Sequence, residues 1–202
     1  MLQRLPMTAP ATVPHPVIPP TLDLPSDART SQQLARIARR LAEQPDWRGL
    51  VQFDAERRWY RRLRMGTGWE AWLLTWLPGQ STALHDHGPS SGAFTVLAGT
   101  LHETIMRETS ASARRQSGES RPAAVPRPAQ ADAPRTWSTH AVTPGGIRAF
   151  DAGYVHDVAN RGPEPAVSLH VYGPALTRMT RYRLAGDGQL IPTATEQAGA
   201  DW

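Results

Sequence analysis

Gly79-Gln80-Ser81-Thr82-Ala83-Leu84-His85-Asp86-His87 opens a stretch that runs on to Gly99, and a second stretch reads Gly145-x5-Asp151-x-Gly153-x2-His156-x3-Asn160. Side chains alternate across an extended segment, so His85 and His87 point to one side, with backbones ~6–7 Å apart. That spacing lets both imidazoles reach one metal ion. His156 supplies a third and completes an open three-histidine site with positions left for substrate. Neutral imidazoles suit iron, zinc, copper and nickel, so the ligand set leaves the metal open.

Around these motifs the pattern is short apolar runs separated by Gly/Pro turns. It predicts strands at Trp69–Leu77, Ala93–Leu97, Leu101–Met106, Ile147–Phe150, Val155–Val158 and Val167–Tyr172. Ala98-Gly99-Thr100 reads as a hairpin turn between two of them. Strands so spaced, with a metal site inside, predict an all-β jelly-roll barrel. Ser31 to Gln44 is the exception. Leu34, Ile37, Ala38 and Leu41 recur at helical spacing, Arg36, Arg39 and Arg40 face outward, and Pro45 ends the run. This short N-terminal helix is expected to pack outside the barrel.

The two histidine stretches resemble the paired motifs of the cupin superfamily. Gly92 stands where a glutamate ligand is usual, and Asp151 where a proline is usual. The run Glu164-Pro165-Ala166-Val167-Ser168-Leu169-His170-Val171-Tyr172-Gly173-Pro174 narrows the likeness to the cysteine dioxygenase family, the thiol-oxidising branch of the cupins. The resemblance covers about residues 59–182. It implies a double-stranded jelly roll, Fe(2+) on His85, His87 and His156, and addition of both oxygen atoms of O2 to the sulfur of a small thiol. L-cysteine would give cysteine sulfinic acid. It also implies a relay from Ser168 through His170 to Tyr172, with the phenol as hydrogen-bond donor.

The same resemblance places a carboxylate-holding arginine in a Tyr-x-Arg context. Here that is Tyr60 and Arg62, with Arg61 as the second choice. Arginine at this place favours cysteine over 3-mercaptopropionate. The chain has no cysteine, so the cross-link that joins a cysteine to the strand tyrosine in animal-type members is excluded. Gly92 takes that cysteine's position, as in bacterial members without it.

At 202 residues the chain reads as one domain with extensions. Residues 1–29, with seven prolines in the first 25 positions, read as a disordered arm. Residues 30–185 read as the cupin domain with its helix, 109–135 as a low-complexity insertion, and 186–202 as a loose tail. The sequence contains no lysine, and its 22 basic residues, all arginine, are interspersed with 18 acids. That mixing argues against a nucleic-acid surface. The longest apolar stretch is too short to cross a bilayer. Missing export signals point to the cytoplasm. The expected partners are a small thiol and O2, with the chain a monomer or weak homo-oligomer. The alternative readings are the same chemistry on another small thiol, such as 3-mercaptopropionate, or a cupin that binds metal and a small molecule without turnover. Asp86 reads as structural, and Trp69, Trp72 and Trp76 as core on both sides of one strand. His15, His102 and His140 read as ordinary.

Overall fold

The computed structural model describes Leu24 and residues 28–108 and 135–198. The proline-rich arm up to residue 23, and the insertion up to residue 134, lie outside the described residues. Two antiparallel sheets face each other. The first has five strands: β1 (Tyr60–Met65), β2 (Glu70–Trp76), β4 (Ser91–Ala98), β7 (Ile147–Phe150) and β9 (Ala166–Gly173), in the order β1-β2-β9-β4-β7. The second has six: β3 (His85–Asp86), β5 (Leu101–Glu108), β6 (Arg135–Val142), β8 (His156–Ala159), β10 (Arg178–Leu184) and β11 (Leu190–Gln197), in the order β11-β10-β3-β8-β5-β6. This is the expected double-stranded β-helix, and one short helix, α1 (Ser31–Ala42), accompanies it.

The central strand of the first sheet explains why its sequence is apolar throughout yet carries polar groups. Every residue of β9 is buried. Val167, Leu169 and Val171 face outward, and Leu169 and Val171 pack with Ala71 and Ala93 beneath Leu34, Ile37, Ala38 and Leu41 of α1. Ser168, His170 and Tyr172 alternate with them and face the barrel interior. Thr30 caps α1, taking the Gln33 backbone N–H while the Gln33 side chain returns to the cap. Trp69 sits on the helix side and Trp76 inside, which bears out the two-sided reading of that strand. Trp72 packs against the same inner cluster as Trp76 and also lines a cavity.

Three expectations need correction. Ala98-Gly99-Thr100 is not a hairpin: β4 and β5 belong to different sheets, so the turn crosses from one to the other. Gly99 has φ +71°, and a Cβ there would lie 2.5 Å from the Pro165 carbonyl oxygen, so only glycine fits this close crossing. The loose tail is also overturned, because residues 190–197 form β11 paired along β10. Pro192 disguised it. A proline is tolerated on an edge strand, and here it sits opposite a register shift at Arg181/Tyr182. Finally, Ala28 belongs to the core rather than the arm, buried beside Leu34 and Ile37.

Because Leu34 is fully buried between helix and sheet, Leu34→Ala should cost about 3 kcal/mol. The urea midpoint would fall with an unchanged slope.

Candidate metal centre

Strand register brings the histidines together. His85 of β3 stands directly opposite His156 of β8, a pairing that sets two Cα atoms ~5 Å apart. On the other side of β3, Arg181 of β10 is opposite His85, while Ile105 of β5 is opposite His156. One row across the second sheet therefore reads Arg181, His85, His156, Ile105. The facing row of the first sheet reads Glu70, Tyr172, Gly92, Phe150. The two motif frames also touch, with Gly79 donating its N–H to the Asn160 carbonyl at 2.9 Å. Asn160 Nδ2 donates to the carbonyls of Trp76 and Glu164. Asp86 faces away and accepts from Tyr182 Oη and Gly88 N, which is the structural role expected of it.

The ring nitrogens of His85, His87 and His156 lie within 4.8 Å of one another. His85 Nε2 and His87 Nε2 are 3.2 Å apart. Two nitrogens bound at right angles to one ion at ~2.1 Å would stand ~3 Å apart, so the geometry fits a shared metal. The outer nitrogens are engaged elsewhere. His85 Nδ1 lies 3.0 Å from the Ala83 carbonyl oxygen, and His156 Nδ1 lies 2.8 Å from Glu103 Oε1. An Nδ1–H donated to each acceptor leaves the Nε2 lone pair for an ion. Ala83 has φ +55°, the one positive φ outside glycine among the described residues. It costs ~1–2 kcal/mol and is held where its carbonyl meets a candidate ligand. Burial, then the neighbouring His156, puts the His85 pKa well below the usual imidazole value, and burial, then His85, does the same to His87. Both are neutral, as metal ligands must be.

Beside the histidines the expected chain of polar groups is present. Trp76 Nε1 donates to Ser168 Oγ at 2.8 Å, Ser168 Oγ lies 2.9 Å from His170 Nε2, and His170 Nδ1 lies 3.3 Å from Tyr172 Oη. Burial, then the neighbouring His156 and Arg58, lowers the His170 pKa to about 3. Burial raises the Tyr172 pKa, so the phenol keeps its proton. Gly92 is opposite Tyr172, as expected for the place of the missing cysteine. A Cβ on it would lie 2.4 Å from the Phe150 ring. Phe150 thus fills that space and stacks on His87 at 4.9 Å.

A cavity of about 90 Å³ opens on His85, His156, His170 and Tyr172. Tyr60 lines it, and Arg62 does not. Arg62 shares the strand face of Tyr60, yet its side chain is 50% exposed and its guanidinium turns to Glu70 Oε2 at 3.7 Å. Arg61, on the opposite face, does not line the cavity either. The two arginines that do are Arg58 and Arg181. Arg181 is held bidentately by Glu196 and donates to the Thr82 carbonyl. Arg58 lies over the Trp76 ring at 5.0 Å and has no acidic partner among the described residues. Burial, then the charge of Arg181, lowers its pKa, but a guanidinium stays charged. Sequence reasoning missed Arg58, although it lies two residues before Tyr60, and so on the same side of an extended chain.

Compared with known proteins, residues 24–184 match the family described as cysteine dioxygenase type I. Among solved structures, the chain is similar to TT1209 of Thermus thermophilus, with 21% identity and a TM-score of 0.45, covering 66% of this chain and 98% of that one. It is also similar to an uncharacterized double-stranded β-helix protein of Klebsiella pneumoniae, with 16% identity and a TM-score of 0.42, covering 73% of this chain and 93% of that one. At these scores the structural likenesses say nothing of chemistry.

Two outcomes follow from this packing. Unfolded imidazoles take up protons near pH 6.5, whereas His85, His87 and His170 resist protonation when folded. Stability of the metal-free protein should therefore fall as pH drops below ~6.5. Each of these histidines contributes up to ~1.4 kcal/mol per pH unit, and His170 does so down to about pH 3. Urea unfolding between pH 4 and 7 measures the slope, which His170→Gln should flatten. Gly92→Ala should cost about 1–3 kcal/mol by overpacking against Phe150, and Phe150→Leu should recover part of that loss in thermal melts.

Proposed function

Given that the chain belongs to the cysteine dioxygenase type I family, we propose that it is a non-haem iron thiol dioxygenase acting on L-cysteine. The overall change is R–SH + O2 → R–SO2H, with both oxygen atoms ending on sulfur. The observation that carries this reading is three buried imidazoles converging beside a cavity that also holds a protonated phenol and the Arg58 guanidinium, which meets no acid in an ion pair among the described residues. Fe(2+) held by His85, His87 and His156 would supply the redox centre at which thiol and O2 are activated.

The remaining work falls to side chains. Arg58 holds the substrate carboxylate through its planar fork, in the role first expected of Arg62. Arg181 is kept from that role by its bidentate bond to Glu196. Ser168 accepts the Trp76 indole proton and donates its own to His170 Nε2. His170 then carries its proton on Nδ1, toward the Tyr172 oxygen, so the phenol proton is free to point at the substrate. Tyr60 and Trp72 pack edge to face at 5.9 Å and wall the entrance, while Leu74, Val158, Leu176 and Met179 keep the cavity largely apolar. Low polarity around the site strengthens each of these electrostatic contacts.

A second reading is the same oxidation of a thiol acid lacking the amine, such as 3-mercaptopropionate. It is favoured by the lining, which among the described residues includes no carboxylate to receive a substrate ammonium.

Anaerobic reconstitution with Fe(2+), then oxygen uptake and product analysis on both thiols, tests the proposal. Sulfinate from cysteine supports the first reading, sulfinate from 3-mercaptopropionate alone supports the second, and no oxygen uptake at full iron occupancy leaves a binding cupin without turnover. Arg58→Gln should lower kcat/KM by about 100-fold, the loss of a charged bidentate contact. Arg62→Gln should change it by no more than about threefold.

A further inference from the structure

Glu103 is 1% exposed, on a strand whose inward row otherwise reads Leu101 and Ile105. An acid in such a row is costly unless its charge is matched and both oxygens are bonded. Both are engaged. Oε1 takes His156 Nδ1 at 2.8 Å. Oε2 meets Arg148 Nε at 2.9 Å, from β7 of the facing sheet, in an ion pair whose angle falls short of a good hydrogen bond. Tyr154 Oη stands 3.5 Å from Oε1. The second outer nitrogen described above, on His85, meets only a neutral backbone carbonyl.

We infer that Glu103, held in place by Arg148, is the positioning residue of the metal centre: it fixes the His156 ring with Nε2 facing the ion and makes that imidazole a stronger donor than His85. This rests on the metal-centre reading of the proposed function. The inference accounts for a buried acid that otherwise has no role. Gly92 leaves the ion without a carboxylate ligand, and Glu103 restores one at a single remove, through the His156 ring. The charge of Arg148, brought from the facing sheet, matches that of Glu103 and fixes the carboxylate in place. Partners of this kind typically change metal affinity 10–100-fold.

The test is Co(2+) binding to the metal-free full-length protein, followed by visible absorption and competition with a chelator. The wild type should bind one ion per chain. Glu103→Leu should weaken binding by 10–100-fold and shift the d–d bands. Glu103→Gln, which keeps an acceptor but not the charge, should fall between them. Thermal melts of the metal-free variants separate positioning from folding. A normal melt with weakened binding supports the inference. If Glu103→Leu does not fold, Glu103→Gln decides alone. Wild-type affinity and bands in a folded variant would overturn the positioning role, whereas a wild type that binds no ion would overturn the metal-centre reading itself.

Discussion

The direct opposition of His85 and His156 across the β3–β8 pair is the constraint on which the rest of the site depends. It joins two segments 71 residues apart in sequence at the distance of a single inter-strand step. It also fixes what lies on either side, because side-chain period is two and a one-residue slip would turn every ligand outward. Arg181 enters the cavity because β10 pairs the far side of the same strand. The β10–β11 pair, which carries both Arg181 and Glu196, is therefore part of the site's construction.

The first sheet meets a different demand. Its inner face presents His170 and Tyr172 to the cavity with Ser168 buried beside them, and these groups bond to one another and to Trp76. Such a face has little apolar area to hold the strand, so the outer face supplies it, and α1 covers that face. The helix lies away from the histidines, yet the strand that carries Ser168, His170 and Tyr172 is anchored by what it packs against.

Charge in the interior is placed in pairs. Glu103 meets His156 and Arg148, Arg181 meets Glu196, and Glu70 meets Arg62 and the Leu176 backbone N–H. Arg58 departs from this pattern, with its fork in the cavity and an aromatic face as its described neighbour. A partly buried cation with no ion-pair partner among the described residues is costly unless a ligand provides one, and that imbalance is why the proposed function puts a substrate carboxylate there. The size relation of Gly92 to Phe150 is the steric counterpart: a missing side chain matched by a ring that fills the space.

Much of this was legible in the linear chain. The histidine spacing, the glycine frames, the alternation of Ser168, His170 and Tyr172, and the periodicity of α1 are local patterns, and local backbone geometry alone decides which residues share a face. Glu103 drew no reading from the sequence, although an acid between Leu101 and Ile105 interrupts an inward apolar row. Tertiary structure alone decided the rest. Whether Gly99 turned a hairpin or crossed between sheets depended on partners far away in sequence. So did the pairing of β11, whose proline is tolerable only at an edge. Arg58 and Arg62 share a face and a charge, and no local rule tells them apart. Glu70 draws one aside and leaves the other in the cavity, because a long side chain goes where its counter-charge lies, and that charge is set by the fold.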